Sequence, residues 1–347
     1  VPSPQLSTIR FEQDLAGLLP QLPPRRGVVQ LLGGQGESLL IGQAANLRLW
    51  VKQKLGGGRP RPGRRPPIDL SPVARAVRFI TTTTGFHQRL CYERLMGEHV
   101  PLSARRDLKT PAYLRLDLDV RFPRLTVTAA PASAPPGFFG PFRDHAAAVR
   151  ARDALSRHAG LRPCDYVFEP DPALPLGLGC VHAQVRTCAA PCLLRLGEAE
   201  YGARAAEVGR WLLDPDLRPD GLQAWLSSFV ADAAGNGVVV EAARTGLELF
   251  PVRSGAVLEE RATQVDPADL EGALEGLSWE PCLDSRDDRR WLSAWLHGPR
   301  RRGWLVPVAE APPSRLAARV HRLLQADGGG SAVPPRWCTL GPQAGDP

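Results

Sequence analysis

The sequence predicts an α+β protein, and three observations carry that expectation. Two short β-type runs, GVVQLL (Gly27 to Leu32) and SLLIG (Ser38 to Gly42), flank the turn Gly33-Gly34-Gln35-Gly36, which is the pattern of a β-hairpin. Leu114, Leu116, Leu118, Val120 and Phe122 alternate with Arg115, Asp117, Asp119 and Arg121, the period of a strand with one buried face. The Ala-rich run from His145 to His158, and a stretch from Glu198 that sets Tyr201, Ala205, Val208 and Leu212 on one face, have the helical period instead.

The remaining elements follow in order. Ala44 to Leu55 are good helix formers that stop at Gly56-Gly57-Gly58, and the Gly/Pro/Arg run to Pro67 reads as a loop. SPVARAVRFITTTT (Ser71 to Thr84) opens with a proline at a helix-start position and finishes in a β-branched run, giving a short helix and then a strand. A Pro/Ala/Gly-rich break covers Ala130 to Gly137, and Gly160 closes the helix that begins at His145. Beyond Pro215 the texture predicts a helical stretch from Gly221 to Ala234 and a hairpin from Leu247 to Val265. Asp266 caps a helix with Pro267 at its first position. A helix near Asp287 to Leu296, a strand at Gly303 to Val308 and an amphipathic helix from Ser314 to Gln325 complete the set. The expected organisation is residues 1–130, 131–215 and 216–326 as three regions, with 327–347 as a loose tail.

A chain of 347 residues is too long for one small core. Its hydrophobic fraction of 43% is that of a globular protein, and no run approaches the roughly 18 apolar residues of a membrane span. The first residues have neither a basic nor an apolar leader segment. The expectation is a soluble, cytoplasmic protein with no membrane partner. A formal charge of +7 suits a polyanionic partner such as DNA. Arg59, Arg61, Arg64 and Arg65, with Arg105, Arg106 and Lys109, are the candidate phosphate contacts; a solvated Arg/Pro linker is the alternative for the first four. Gly33 to Gly36 is not a phosphate loop, because no Lys-Ser/Thr pair follows.

Seven cysteines in a chain without a leader argue against a disulfide framework. Cys164, Cys180, Cys188 and Cys192 are spaced x15, x7 and x3, in loop-like sequence between two helices. Four thiolates free to converge are what a tetrahedral zinc or an iron-sulfur cluster requires. Spacing alone does not name the metal. His182 lies inside the motif but is redundant beside four thiols, and Cys91, Cys282 and Cys338 read as unliganded.

FFGPFRDHAAAVRARDALSRHAGLRPC (Phe138 to Cys164), GCVHAQVRTCAAPC (Gly179 to Cys192) and EAEYGARAAEVGRWLLDP (Glu198 to Pro215) resemble the segment that follows the nuclease domain in the UvrC family of excinuclease subunits. There a GPF or GPY motif opens an Ala-rich helix and C-x7-C-x3-C ends in APC. The resemblance implies a four-iron four-sulfur cluster on Cys164, Cys180, Cys188 and Cys192, with zinc as the alternative.

Upstream, GVVQLL and LLIGQAANLRLW resemble the GIY-YIG endonuclease signature, whose tyrosines activate water while a cation steadies phosphate and a glutamate holds a divalent metal. The matching positions are Val29 and Leu40 for the tyrosines, Gln43 for the lysine, Trp50 for the arginine and Leu90 for the glutamate, with Glu93 a nearby alternative. The resemblance implies a degenerate GIY-YIG scaffold without its chemistry. Val240-Glu241-Ala242-Ala243-Arg244 resembles the helix through which UvrC contacts UvrB, implying a UvrB-like partner. The expected function is a non-catalytic, DNA-binding, UvrC-like repair protein with a structural metal cluster. An active metal-dependent endonuclease and an interaction module without DNA binding are the alternatives.

Overall fold

The computed structural model describes residues 6–12, 14–56, 69–105, 108, 110–129, 137–173, 180–213, 217–219, 221–222, 237–253, 255–278, 288–298, 303–308 and 312–328. The chain divides into two compact units, one of Val1–Asp107 with Glu241–Glu248 and Arg301–Gly303, the other of Leu108–Val240, Leu249–Arg300 and Trp304–Pro347. The stretch expected as a helix at 223–234 and the tail from 329 lie outside the described residues.

In the first unit, β1 (Ser7–Arg10), α1 (Leu15–Gln21), β2 (Gly27–Leu32), β3 (Ser38–Ala44), α2 (Leu47–Leu55), β4 (Ala76–Thr81) and α3 (Gly85–His99) follow one another. The strands form an antiparallel sheet in the order β1-β4-β2-β3. The expected hairpin is present, with Val29 opposite Gly42 and Leu31 opposite Leu40. Because side chains alternate along a strand, β2 feeds two faces. Val29 and Leu31 join Leu18, Leu22, Leu47, Val51 and Leu55 from α1 and α2, while Val28 joins Ile80, Cys91 and Leu95 on the α3 side. Asp14 and Asn46 cap α1 and α2 by accepting from Gly17 N and Leu49 N, each cap contributing about 1 kcal/mol.

One sequence expectation is corrected here. Residues 71–73 form a turn and not a short helix; Asp69 accepts from Ser71 N at 2.9 Å, so the local carboxylate satisfies the backbone that a helix would otherwise use. In addition, α3 has no apolar stripe to announce it, because His87, Gln88 and Glu93 are buried alongside Phe86, Leu90, Cys91 and Leu95. Gln88 Nε2 donates to the carbonyls of Gly27 and Ala44 at 2.6 and 2.8 Å. A polar side chain is thus core here because it closes backbone acceptors at the end of the hairpin.

In the second unit, β5 (Ala112–Leu116), β6 (Leu125–Ala129) and β7 (Phe138–Phe142) form an antiparallel sheet in the order β6-β5-β7. It packs with α4 (His145–Ala159) and α6 (Glu198–Leu213), between which lies the short α5 (Val181–Gln184). The strand expected to run to Phe122 ends at Leu116. Asp117 Oδ1 accepts from Asp119 N, an Asx turn that reverses the chain and leaves Leu118 and Val120 exposed. The helices are as the sequence reads them. Asp144 accepts from Ala147 N at 2.7 Å to start α4, and Gly160 ends it at φ 67°, a left-handed conformation that suits glycine. Tyr201, Ala205, Val208 and Leu212 are each fully buried.

A further sheet runs β10-β9-β8-β12, from β8 (Gly237–Ala243), β9 (Gly246–Arg253), β10 (Ala256–Val257) and β12 (Gly303–Pro307), with β11 (Thr263–Val265) on β9. The helices α7 (Leu270–Glu275), α8 (Arg289–Leu296) and α9 (Pro313–Gly328) complete the chain. Val240-Glu241-Ala242-Ala243-Arg244 is strand β8 and its turn, not the partner-contacting helix that the resemblance implied. Three consecutive valines, Val238 to Val240, are stiff at χ1 and favour the pleated surface. Among the described residues no helix is long and apolar enough to cross a membrane.

Glu241 and Glu248 complete the first unit at the start of α3. Glu241 accepts from Gly85 N at 3.1 Å and Phe86 N at 2.5 Å, and Glu248 accepts from the hydroxyls of Thr83 and Thr84. Burial pushes the Glu241 carboxyl above its ordinary 4.5, the two N–H groups and Arg26 offset part of the rise, and Glu248 adds to it. A carboxyl held above its unfolded value stabilises the fold fully below that value, and the contribution is lost as pH rises through the folded one. Wild-type protein should therefore gain stability relative to Glu241→Gln as pH falls from about 7 toward the ordinary carboxyl value, read as urea midpoints at matched pH. A difference that stays flat across that range would mean that burial does not favour the protonated acid.

Candidate functional site

The four cysteines reach one region from irregular backbone. Cys164 lies in the extended segment after α4, Cys180 at the N-cap of α5, Cys188 in a bend and Cys192 in a 3-10 turn, Pro191–Leu193. All four are free and half-buried. Burial pushes the Cys188 thiol up to about 11, and Cys164, Cys180 and Cys192 each add to the rise; the Ala190 N–H, 3.3 Å from the sulfur, opposes it. Cys192 is raised by burial and then by Cys180 and Cys164, while the N–H groups of Cys192 and Leu193 lower it. The four sulfurs are therefore near enough to repel one another as thiolates. Among the described residues, no three of them lie within 4.8 Å of each other.

The backbone around them is held in an uncommon conformation. Arg186, Ala190 and Leu194 have φ of 55°, 53° and 51°, each costing about 1 kcal/mol or more for a residue with a Cβ. Such turns direct successive N–H groups inward and form concavities that hold anions, iron-sulfur centres among them. The segment is anchored where Ala189 N donates to Gly160 O and Asp171 N to Cys192 O. Tyr201, on α6, donates to Pro123 O at 3.0 Å and accepts from Arg162 N at 2.8 Å; burial pushes its pKa up. His182 is only half-buried, and its carbonyl accepts from Thr187 N and Cys188 N. The donor set, four soft thiols with backbone N–H groups aimed at sulfur, fits an iron-sulfur cluster or zinc.

The positions matched to the nuclease signature lie in the first unit. Val29 belongs to the α1/α2 core, and Leu40 and Trp50 pack against it half-buried. The Trp50 ring lies over Gly42, where any Cβ would strike it, and Lys54 sits above the same ring at 5.7 Å. Gln43 is exposed and Leu90 fully buried. Val29, Leu40 and Trp50 thus belong to one apolar cluster. Glu93 is not a free ligand. Arg105 grips both its oxygens at 2.9 and 3.3 Å, and Arg89 reaches it at 2.5 Å. Arg105 was expected to face phosphate; its side chain is 6% exposed and its fork is spent on Glu93, which corrects that assignment. Arg59, Arg61, Arg64, Arg65, Arg106 and Lys109 lie outside the described residues.

Sequence reasoning missed Arg162 and the hydroxyl of Tyr201. Arg162 stands in LRPC beside the first cysteine, a position that could have flagged it; nothing in the helical pattern separates the Tyr201 hydroxyl from an ordinary core ring.

The small antiparallel sheet under two helices, with four cysteines between those helices, lies in the part of the chain that is similar to UvrC-like proteins. Residues 112–210 match the UvrC/Cho excinuclease middle domain. The chain is similar to the UvrABC system protein C of Hyphomonas neptunium, 28% identical over 260 residues, which is 74% of this chain and 40% of that protein. The protein of the same name from Rhizobium meliloti is 27% identical over 280 residues, 78% of this chain and 38% of that one. That from Methylococcus capsulatus is 26% identical over 271 residues, 77% and 42%. The chain thus spans about two fifths of the length of these relatives. No solved structure matches it at a significant level.

The Glu93 geometry generates a prediction. Glu93→Gln should leave two arginines without their counter-charge in a buried place and cost about 3 kcal/mol or more in urea unfolding. Little change, within about 0.5 kcal/mol, would show that Glu93 is available for another role.

Proposed function

We propose that this chain acts in nucleotide excision repair as a UvrC-like, DNA-binding protein whose N-terminal unit does not cut DNA, and whose Cys164, Cys180, Cys188 and Cys192 hold a structural four-iron four-sulfur cluster. The observation that carries this reading is the gathering of four thiols, with N–H groups on sulfur, inside the region that matches the UvrC/Cho middle domain. A zinc ion about 2.3 Å from each sulfur would draw the four to roughly 3.8 Å from one another. In an iron-sulfur cluster each thiolate would take a different iron, and the choice of iron over zinc rests on the UvrC resemblance. Such a cluster would supply order to the segment when bound. No general base stands beside the thiols in a catalytic arrangement among the described residues, which supports a structural role.

The loss of cutting is supported by the apolar packing of Val29, Leu40 and Trp50 and by the pairing of Glu93. Removing several members of one catalytic unit abolishes nearly all of its effect. DNA binding rests on the +7 charge and on the likeness to UvrABC system protein C. A UvrB-type partner follows from the same relatives and is not assigned to β8. The cytoplasm is the compartment that this role implies.

Protein purified without oxygen should be brown, absorb at about 400 nm and carry about four irons per chain. Colourless protein with one zinc would reject the cluster and keep the thiol centre; metal-free protein that melts unchanged with all four cysteines replaced by serine would reject both. DNA affinity should fall steeply between about 50 and 200 mM salt and be indifferent to sequence. Binding that is absent at low salt would turn the reading to an interaction module. Manganese-dependent nicking by pure protein, lost in Glu93→Ala, would restore an active endonuclease.

A further inference from the structure

We propose that Arg162 is the positioning residue of the thiol centre, a clamp that folds the Cys164 arm into place. The inference rests on reading the four cysteines as one centre. Cys180, Cys188 and Cys192 share a short segment with its own backbone hydrogen bonds, from Ala183 N to Cys180 O through Cys188 N to His182 O and Leu193 N to Ala190 O. Cys164 arrives separately, in a stretch from Leu161 to Asp171 with neither helix nor strand. Its sulfur depends on an element that orders this stretch.

Arg162 supplies that order from one side chain. Its Nε donates to Phe122 O at 3.0 Å, and one terminal nitrogen donates to Tyr166 O at 2.7 Å and Cys164 O at 3.4 Å. Its backbone N–H goes to the Tyr201 hydroxyl at 2.8 Å. The guanidinium lies over the Phe168 ring at 5.2 Å, Phe168 stacks on Phe122 at 5.4 Å, and Phe122 meets the edge of Tyr201 at 5.6 Å. The carbonyls on both sides of Asp165 thus converge on one cation while the ring at 168 covers it. The arm is wrapped around the guanidinium and tied through Phe122 and Tyr201 to the sheet and α6. Lysine cannot replace this group: an ammonium has no planar fork to reach Phe122 O and Tyr166 O together and no flat face for Phe168.

The test uses the full chain in two forms, as purified without oxygen and after metal removal. In metal-free Arg162→Lys, iodoacetamide should modify Cys164 about tenfold faster than in wild type, the equivalent of one charge-assisted hydrogen bond. Cys180, Cys188 and Cys192 should change by less than about twofold, and the metal retained after a chelator challenge should fall. Phe168→Leu, which keeps every hydrogen bond, should give a smaller acceleration confined to Cys164. Unchanged Cys164 reactivity in Arg162→Lys overturns the clamp. So does equal acceleration at all four cysteines, which would make Arg162 a general stabiliser of the unit. Wild-type protein that takes up no metal, with acceleration still confined to Cys164, would keep the clamp and reject the thiol centre, so the two readings fail separately.

Discussion

The packing of α4 against α6 over the β6-β5-β7 sheet is the constraint on which the second unit depends. Ala147, Ala148 and Ala151 give α4 a small-residue face, and Leu155 and Leu161 continue it into one core with Tyr201, Ala205, Val208 and Leu212. Once those helices are fixed, both ends of the cysteine segment are fixed as well. Among the described residues the chain between crosses with one short helix and a 3-10 turn. Several of its apolar side chains are not used in burial: Tyr166, Val167, Val181, Val185 and Leu194 are all at least 51% exposed. The hydrophobic effect that folds α4 onto α6 reaches the segment between them only in places, at Phe168, Ala183, Ala189, Ala190 and Leu196. Hydrogen bonds add order there, among them those of Arg162 to Phe122 O and Tyr166 O.

That division explains the electrostatics. Thiols packed together and half-buried resist ionisation, as Cys188 and Cys192 do. A cationic centre reverses the balance, because each thiolate is then paired and the binding step releases protons. Of the left-handed residues, Ala190 turns its N–H toward Cys188 Sγ, while Arg186 and Leu194 donate to the carbonyls of Ala183 and Pro191.

The first unit has taken the opposite course. Where the nuclease signature would place hydroxyls and charges, Val29, Leu40 and Trp50 are packed against α1 and α2. The polar groups that remain at α3 are engaged: Gln88 on two carbonyls, Glu93 on two arginines, and the helix start on Glu241 and Glu248. Catalytic sites keep polar groups poised and exposed at some expense of stability. At α3 these groups are paired with one another or with the backbone.

The sequence by itself determined the elements whose signals are local. The β2-β3 hairpin, α2, α4 with its Gly160 cap, α6 and its buried face were legible because turn residues, caps and periodicity act within a few positions. The four cysteines stand together in the sequence by spacing and by family resemblance, and spacing does not name a metal. Tertiary structure alone decided the rest. It made α3 a helix with buried polar residues, because Gln88 and Glu93 find their partners in Gly27, Ala44 and Arg105, remote enough in the chain to leave no periodic trace. It made Val238 to Ala243 a strand, since an EAAR run has helical composition but is paired within a sheet. It gave Arg162 and Tyr201 their roles, because the carbonyls they hold at Phe122 and Pro123 lie some 40 and 78 positions away. A side chain's partner across the fold is set by packing, and packing leaves no mark on the neighbouring sequence.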